Sequence, residues 1–148
     1  MTDPAFGMDV KPCSNGGIIN CSVDTVKKML EHFFGGVKER ESQYQDQGTL
    51  YAIDQDSSLN SGLADYGYLF VPDACQDKDK LCKFHVHFHG CTESNAKWED
   101  RLVRKYGFLE YSVPNEMILY FPQNNDTQLI FDMPYCWVSM LATTKENA

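Results

Sequence analysis

Lys83-Phe84-His85-Val86-His87-Phe88-His89, running into Gly90-Cys91, is the stretch on which the reading of the fold turns. Apolar and imidazole side chains alternate along it, the pattern of a β-strand, and Gly90 supplies the stop. Alternate residues of a strand share a face, so His85, His87 and His89 line one side and Phe84, Val86 and Phe88 the other. Same-face neighbours stand about 7 Å apart, so a single metal at about 2 Å from each nitrogen reaches two of these imidazoles and not all three. The histidines are therefore read as polar groups on a partly covered sheet face, with no metal assigned. A zinc hydrolase using His85 and His87 is kept as an alternative.

Downstream, residues 93–106 fit a helix with Trp98, Leu102 and Val103 turned inward, and residues 108–113 a further helical turn before Pro114. Met117-Ile118-Leu119-Tyr120-Phe121, closed by Pro122, reads as a strand buried on both faces. Strand, helix and strand in that order make a βαβ unit and an α/β fold. Upstream, Tyr66 to Val71 form a strand stopped by Pro72, and Thr49 to Ile53 a shorter one, with a polar loop between them. Ser22 is the expected N-cap of a helix whose apolar positions are Val23, Val26, Met29, Leu30, Phe33 and Phe34; Gly35-Gly36 ends it. Residues 1–21 read as irregular and 37–47 as a solvated connector.

The 148 residues suffice for one domain, and 43% hydrophobic with 23% charged residues is ordinary for a globular chain. A formal net charge of -8 repels nucleic-acid phosphates and anionic lipid, which excludes both as main partners and favours a neutral substrate. No apolar run approaches a membrane span, and Met1-Thr2-Asp3-Pro4 lacks the basic start and apolar stretch of a secretory signal. The six cysteines, Cys13, Cys21, Cys75, Cys82, Cys91 and Cys136, nevertheless point to an oxidised, extracellular protein whose signal peptide is not in this chain. So do two sequons, at Asn20 and Asn125. Sequence does not choose among the possible cysteine pairings. Spacing favours the short staples Cys13–Cys21 and Cys75–Cys82, which leaves Cys91 and Cys136 as a long-range pair.

A strand that ends in His89-Gly90 and leads into a loop and helix is where an α/β-hydrolase places half of its oxyanion hole. Glycine there lets a backbone N–H face the developing negative oxygen. The matching nucleophile motif, Gly-x-Ser-x-Gly, does not occur; Ser14-Asn15-Gly16-Gly17 has no strand before it. Cys91 as a thiol nucleophile is disfavoured, because an oxidising setting and a partner cysteine consume the thiol.

Three stretches together resemble the extracellular polyhydroxybutyrate depolymerases, a circularly permuted α/β-hydrolase family. They are Tyr68-Leu69-Phe70-Val71-Pro72, Phe84 to Cys91 with the preceding Cys75–Cys82 loop, and Met117 to Gln123 with the closing Cys136-Trp137. The resemblance runs from about residue 12 to residue 137. It implies a partial α/β-hydrolase sheet of three or four strands, mainly parallel, with flanking helices, in a single partial domain over residues 1–148. It implies that the Ser, Asp and His of the triad lie upstream of these residues; Thr2-Asp3 looks like the tail of the family's His-x-Phe-Pro-Thr-Asp stretch. Cys91 matches the residue whose N–H completes the oxyanion hole, with its side chain bonded to Cys136. Trp137, His89 and Gly90 fall at the substrate crevice. Val138-Ser139 replaces the family's Asp-Trp, and residues 138–148 depart from its pattern.

The expectation is thus a fragment of a secreted serine esterase acting on polyhydroxyalkanoate-type or short-chain esters. It would arise as a partial gene model, an exon-skipped product or a decayed copy. It would need no cofactor, be inactive alone, and be open to a complementary chain carrying the catalytic half. The alternative in another class is a non-catalytic module presenting Tyr68, Trp98 and Trp137 to a polyester or glycan. A fragment should also leave strand 117–121 with an exposed edge.

Overall fold

The structure, a computed structural model, describes residues 11–12, 19–20, 23–55, 62–125 and 136–137, the first two pairs as backbone only. Lys11–Pro12 (β1) and Ile19–Asn20 (β2) form a short parallel pair where irregular chain is expected. The proposed cap Ser22, the Cys13–Cys21 pair, the side chain of Asn20 and the tail 138–148 lie outside the described residues.

Helix α1 spans Thr25–Phe34. Asp24 caps it: its Oδ1 accepts from the Lys27 N–H at 2.9 Å. Gly35, at φ 76°, ends it in the left-handed conformation and donates to the Glu31 carbonyl. Leu30 is fully buried and Val26, Met29 and Phe34 pack beside it, whereas Val23 and Phe33 stay exposed. Val23 precedes the first turn, so the helical period does not turn it inward.

Strands β3 (Gly48–Asp54), β4 (Tyr66–Pro72), β5 (Lys83–Val86) and β6 (Met117–Phe121) form one sheet in the order β3-β4-β6-β5. The sheet is mixed rather than mainly parallel. β3 with β4 and β4 with β6 run antiparallel, and β5 with β6 runs parallel. The parallel pair is joined through Asn95–Trp98 (α2) and Leu109–Ser112 (α3), the helical crossover that a parallel pairing requires. β6 therefore has a neighbour on each side. Among the described residues the open edges belong to β3 and β5, which corrects the expected edge at 117–121.

The crossover is less helical than its sequence suggests. Of residues 93–106 only α2 is a helix; Glu99 takes φ 53°, which a right-handed helix cannot continue through, and turns carry the chain to Tyr106. Leu102 and Val103 are buried as expected. The core lies on one face of the sheet, where Tyr68, Phe70, Met117, Leu119 and Phe121 meet Leu30, Leu109 and Tyr111. At the far end of β6, Gln55 uses its whole amide. Nε2 donates to the Ala64 and Gln123 carbonyls, and Oε1 accepts from Tyr120 O–H and Gln123 N–H. No described helix is long and apolar enough to cross a membrane.

Candidate functional site

β5 stops at Val86, three residues before the expected end, although His87 N–H still bonds the Tyr120 carbonyl at 2.9 Å. The three imidazoles consequently separate. His85 and His87 lie on the core side, with ring centroids 5.2 and 4.5 Å from that of Phe108. His89 has left the sheet and sits 5.0 Å from the Trp137 ring. Among the described residues no group of three His, Cys, Asp or Glu side chains is placed to hold a metal. Burial holds all three imidazoles below the ordinary histidine value. His87 is lowered to about 4, with the neighbouring His85 and His89 adding to the effect and Glu93 opposing it.

Beyond β5 the chain makes a tight turn from Gly90 to Glu93, closed by Glu93 N–H donating to the Gly90 carbonyl at 3.2 Å. The turn is held from several directions. Glu93 Oε2 accepts from Gly90 N–H at 3.0 Å and from Tyr106 O–H at 3.1 Å. Trp98 Nε1 donates to the Thr92 carbonyl at 3.2 Å, and Trp137 Nε1 to the His89 carbonyl at 2.9 Å. His89 Nδ1 lies 2.7 Å from the Gly90 carbonyl, so that nitrogen carries the proton. The Cys91–Cys136 disulfide fixes the middle of the turn, and the Cys75–Cys82 disulfide closes the loop before β5.

The left-handed residue of this turn is Thr92, at φ 68°, and not Gly90. A Cβ at Gly90 would stand 3.0 Å from Glu93 Oε2, so a larger residue there would press on the carboxylate that holds the turn. No acceptor among the described residues takes the Cys91 N–H. Gly90 and Glu93, with His87, Phe88, Tyr106 and Phe108, line a cleft of about 330 Å³ whose other wall is Thr25, Val26 and Met29 of α1. Phe88 is 59% exposed and packs edge-on against Trp137 at 5.0 Å. A second cleft, of about 410 Å³, opens beside Lys83 and Glu116, at the opposite end of β5 and β6.

His89, Gly90, Cys91 and Trp137, singled out from the sequence, are thus brought together around one turn, Trp137 packing on it from the far end of the described chain. Glu93 and Tyr106 were missed, although an acidic residue three positions after a turn glycine is a readable signal. Tyr68 of the binding-module reading is buried in the core and cannot meet a polymer, and Trp98 is half-buried with its indole N–H spent on Thr92. Asn125 is exposed, while its sequon partners lie outside the described residues.

No protein-family model matches the chain. It is 30% identical over 118 residues to a poly(3-hydroxybutyrate) depolymerase of Delftia acidovorans, covering 76% of this chain and 24% of that protein. It is 28% identical over 106 residues to a polyhydroxybutyrate depolymerase of Talaromyces funiculosus, covering 72% of this chain and 31% of that protein. Two solved structures share its fold. One is a serine-to-alanine variant of a PHB depolymerase complexed with an R3HB trimer (TM-score 0.70, 26% identity, 82% of this chain and 38% of that one). The other is the PHB depolymerase of Penicillium funiculosum (TM-score 0.66, 27% identity, 76% of this chain and 36% of that one). The chain spans between a quarter and two fifths of the proteins it matches. In sequence and in fold its relatives are polyhydroxybutyrate depolymerases, and over that part of their length the chain is depolymerase-like.

Proposed function

We propose that these residues form the oxyanion-hole and substrate-wall part of a secreted serine esterase acting on polyhydroxyalkanoate-type or short-chain esters, with the Ser-Asp-His triad carried outside them. The observation that carries this reading is the Gly90–Glu93 turn. Gly90 N–H, Gly90 C=O, Thr92 C=O and Glu93 N–H are each tied down around it, while the Cys91 N–H has no acceptor among the described residues. A donor held this way needs no reorganisation when charge develops on an ester oxygen, which is the basis of electrostatic stabilisation in acyl transfer.

In the complete reaction the serine oxygen attacks the ester carbonyl as histidine takes its proton. The carbonyl oxygen becomes an oxyanion between the Cys91 N–H and a second N–H beside the nucleophile. Collapse expels the alcohol, protonated by the histidine, and water then repeats the sequence on the acyl-enzyme. Trp137, with His89 and Gly90, would form the wall along which the ester lies, and the exposed Phe88 face against Trp137 suits an apolar polyester chain. The two described disulfides fit an oxidising, extracellular setting, with Asn125 a candidate glycan acceptor. Alone, the chain would be inactive; a complementary polypeptide would bring the triad.

A chimera tests this. These residues replace the matched segment of the Talaromyces funiculosus depolymerase, and p-nitrophenyl butyrate hydrolysis is followed. The folded chimera should turn over. Cys91→Ser keeps the N–H and loses the disulfide; Cys91→Pro loses both. The second should lie a further 10²-fold or so lower in kcat. A folded chimera without turnover, or equal rates for the two variants, contradicts the reading.

A further inference from the structure

The Cys91 N–H belongs to the Gly90–Cys91 peptide, which is planar and trans, so it points opposite to the Gly90 carbonyl. Whatever holds that carbonyl aims the donor. The carbonyl accepts from Glu93 N–H at 3.2 Å, and His89 Nδ1 lies 2.7 Å from it. The preceding peptide, His89–Gly90, is held at both ends as well. Its carbonyl accepts from Trp137 Nε1 at 2.9 Å, and its N–H donates to Glu93 Oε2 at 3.0 Å. The glycine between these two planes turns easily about both of its backbone bonds, and the Cys91–Cys136 disulfide fixes a Cβ rather than a plane. The aim is therefore set by the ties, and Glu93 supplies one to each plane.

Thr92, at the corner of the turn, is β-branched and takes φ 68°, a strained backbone that its surroundings must impose. A turn with strain at its corner opens when a tie is cut. The Glu93 carboxylate is itself anchored: Tyr106 O–H donates to the same Oε2 at 3.1 Å, and the Tyr106 ring packs 4.7 Å from that of His87. Burial, with the Glu93 carboxylate adding to it, holds the Tyr106 phenol far above the ordinary tyrosine value, so it remains a donor. This hydroxyl links the turn to the crossover between β5 and β6.

We propose that Glu93 is the positioning residue of the oxyanion hole: acting through Gly90 it aims the Cys91 N–H, and Tyr106 holds it in place to do so. This rests on the reading of the Cys91 N–H as an oxyanion donor. Neither side chain takes a proton or forms a bond in the reaction. Glu93 works as an acceptor, and its charge is a cost, since like charge opposes a developing oxyanion. A neutral amide of the same reach should therefore serve at least as well.

The chimera described above, assayed with p-nitrophenyl butyrate, tests the kinetic consequence. Nuclear magnetic resonance relaxation of the Cys91 amide in the 148-residue chain tests the aim itself. Glu93→Ala should lower kcat about tenfold, part of the roughly 10²-fold that losing a donor outright costs, and leave KM within about twofold. Glu93→Gln should restore kcat. Tyr106→Phe keeps the ring and should cost about threefold alone, yet nothing further beside Glu93→Ala, because it acts through that carboxylate. In the chain by itself, the Cys91 order parameter should fall from about 0.85 toward about 0.6 in Glu93→Ala and stay rigid in Glu93→Gln. The proposal is overturned by a glutamine variant as slow as the alanine one, by additive losses at Glu93 and Tyr106, or by a Cys91 amide that stays equally ordered in Glu93→Ala. A chimera without turnover removes the esterase reading, and the Cys91 order parameter then decides the positioning by itself.

Discussion

Glu93 holds two donors with one oxygen, the Gly90 N–H and the Tyr106 O–H. Glu93→Ala leaves both without that acceptor and is expected to cost about 1–3 kcal/mol, with faster exchange of the Gly90 amide; Glu93→Gln, which keeps an acceptor, should lose less. Urea unfolding with amide exchange checks both, and unchanged exchange in the alanine variant would show the turn held by its other ties. His87 makes a second prediction, with a definite sign. Its folded pKa of about 4 lies below the free value near 6.5, so the unfolded chain binds the proton more readily. Stability is full above about pH 6.5 and falls as pH drops toward 4, by on the order of 1–2 kcal/mol given the partial solvent screening of the ring. Glu110, held above the carboxylate range by burial, acts in the opposite sense. Thermal unfolding across that window, with and without His87→Phe, isolates the histidine: the variant should have the flatter profile.

Gly67 in β4 and Gln55 beyond β3 illustrate what local sequence does not carry. A Cβ at Gly67 would stand 2.5 Å from Gln55 Oε1, the atom that accepts from Tyr120 and Gln123. Gly67→Ala is therefore expected to cost about 1–3 kcal/mol in a denaturant midpoint. Substitution at Gly35 acts by another route: nothing lies within 4 Å of its Cβ position, so Gly35→Ala should cost only about 1 kcal/mol, from the left-handed backbone alone. The period of Val26, Met29, Leu30 and Phe34 made α1 legible, as the apolar run made β6 legible. Strand order was not legible, because alternation along β6 says which side chains are inward and nothing about which strands lie beside it. Nor was the break at Glu99, where the ties of Trp98 and the turn override helical spacing. His89, Gly90, Cys91 and Trp137 could be named from sequence because they stand in an ordered motif; Glu93 and Tyr106 meet only through the fold.

Among the described residues the molecule is a four-stranded mixed sheet with its core on one face and a tightly tied turn at one end. Its relatives place such a sheet inside proteins several times its length. The net charge of -8 opposes self-association through the exposed Phe33, Phe84 and Phe88 side chains, and raising salt to screen that charge should promote aggregation, read by light scattering. The central question is where the attacking hydroxyl resides. Purified chain is to be incubated with p-nitrophenyl butyrate and, in parallel, with a serine-reactive phosphonate followed by mass spectrometry. No turnover above buffer and no phosphonylated serine is the predicted result; hydrolysis that the phosphonate abolishes, with a labelled serine among these 148 residues, would contradict it.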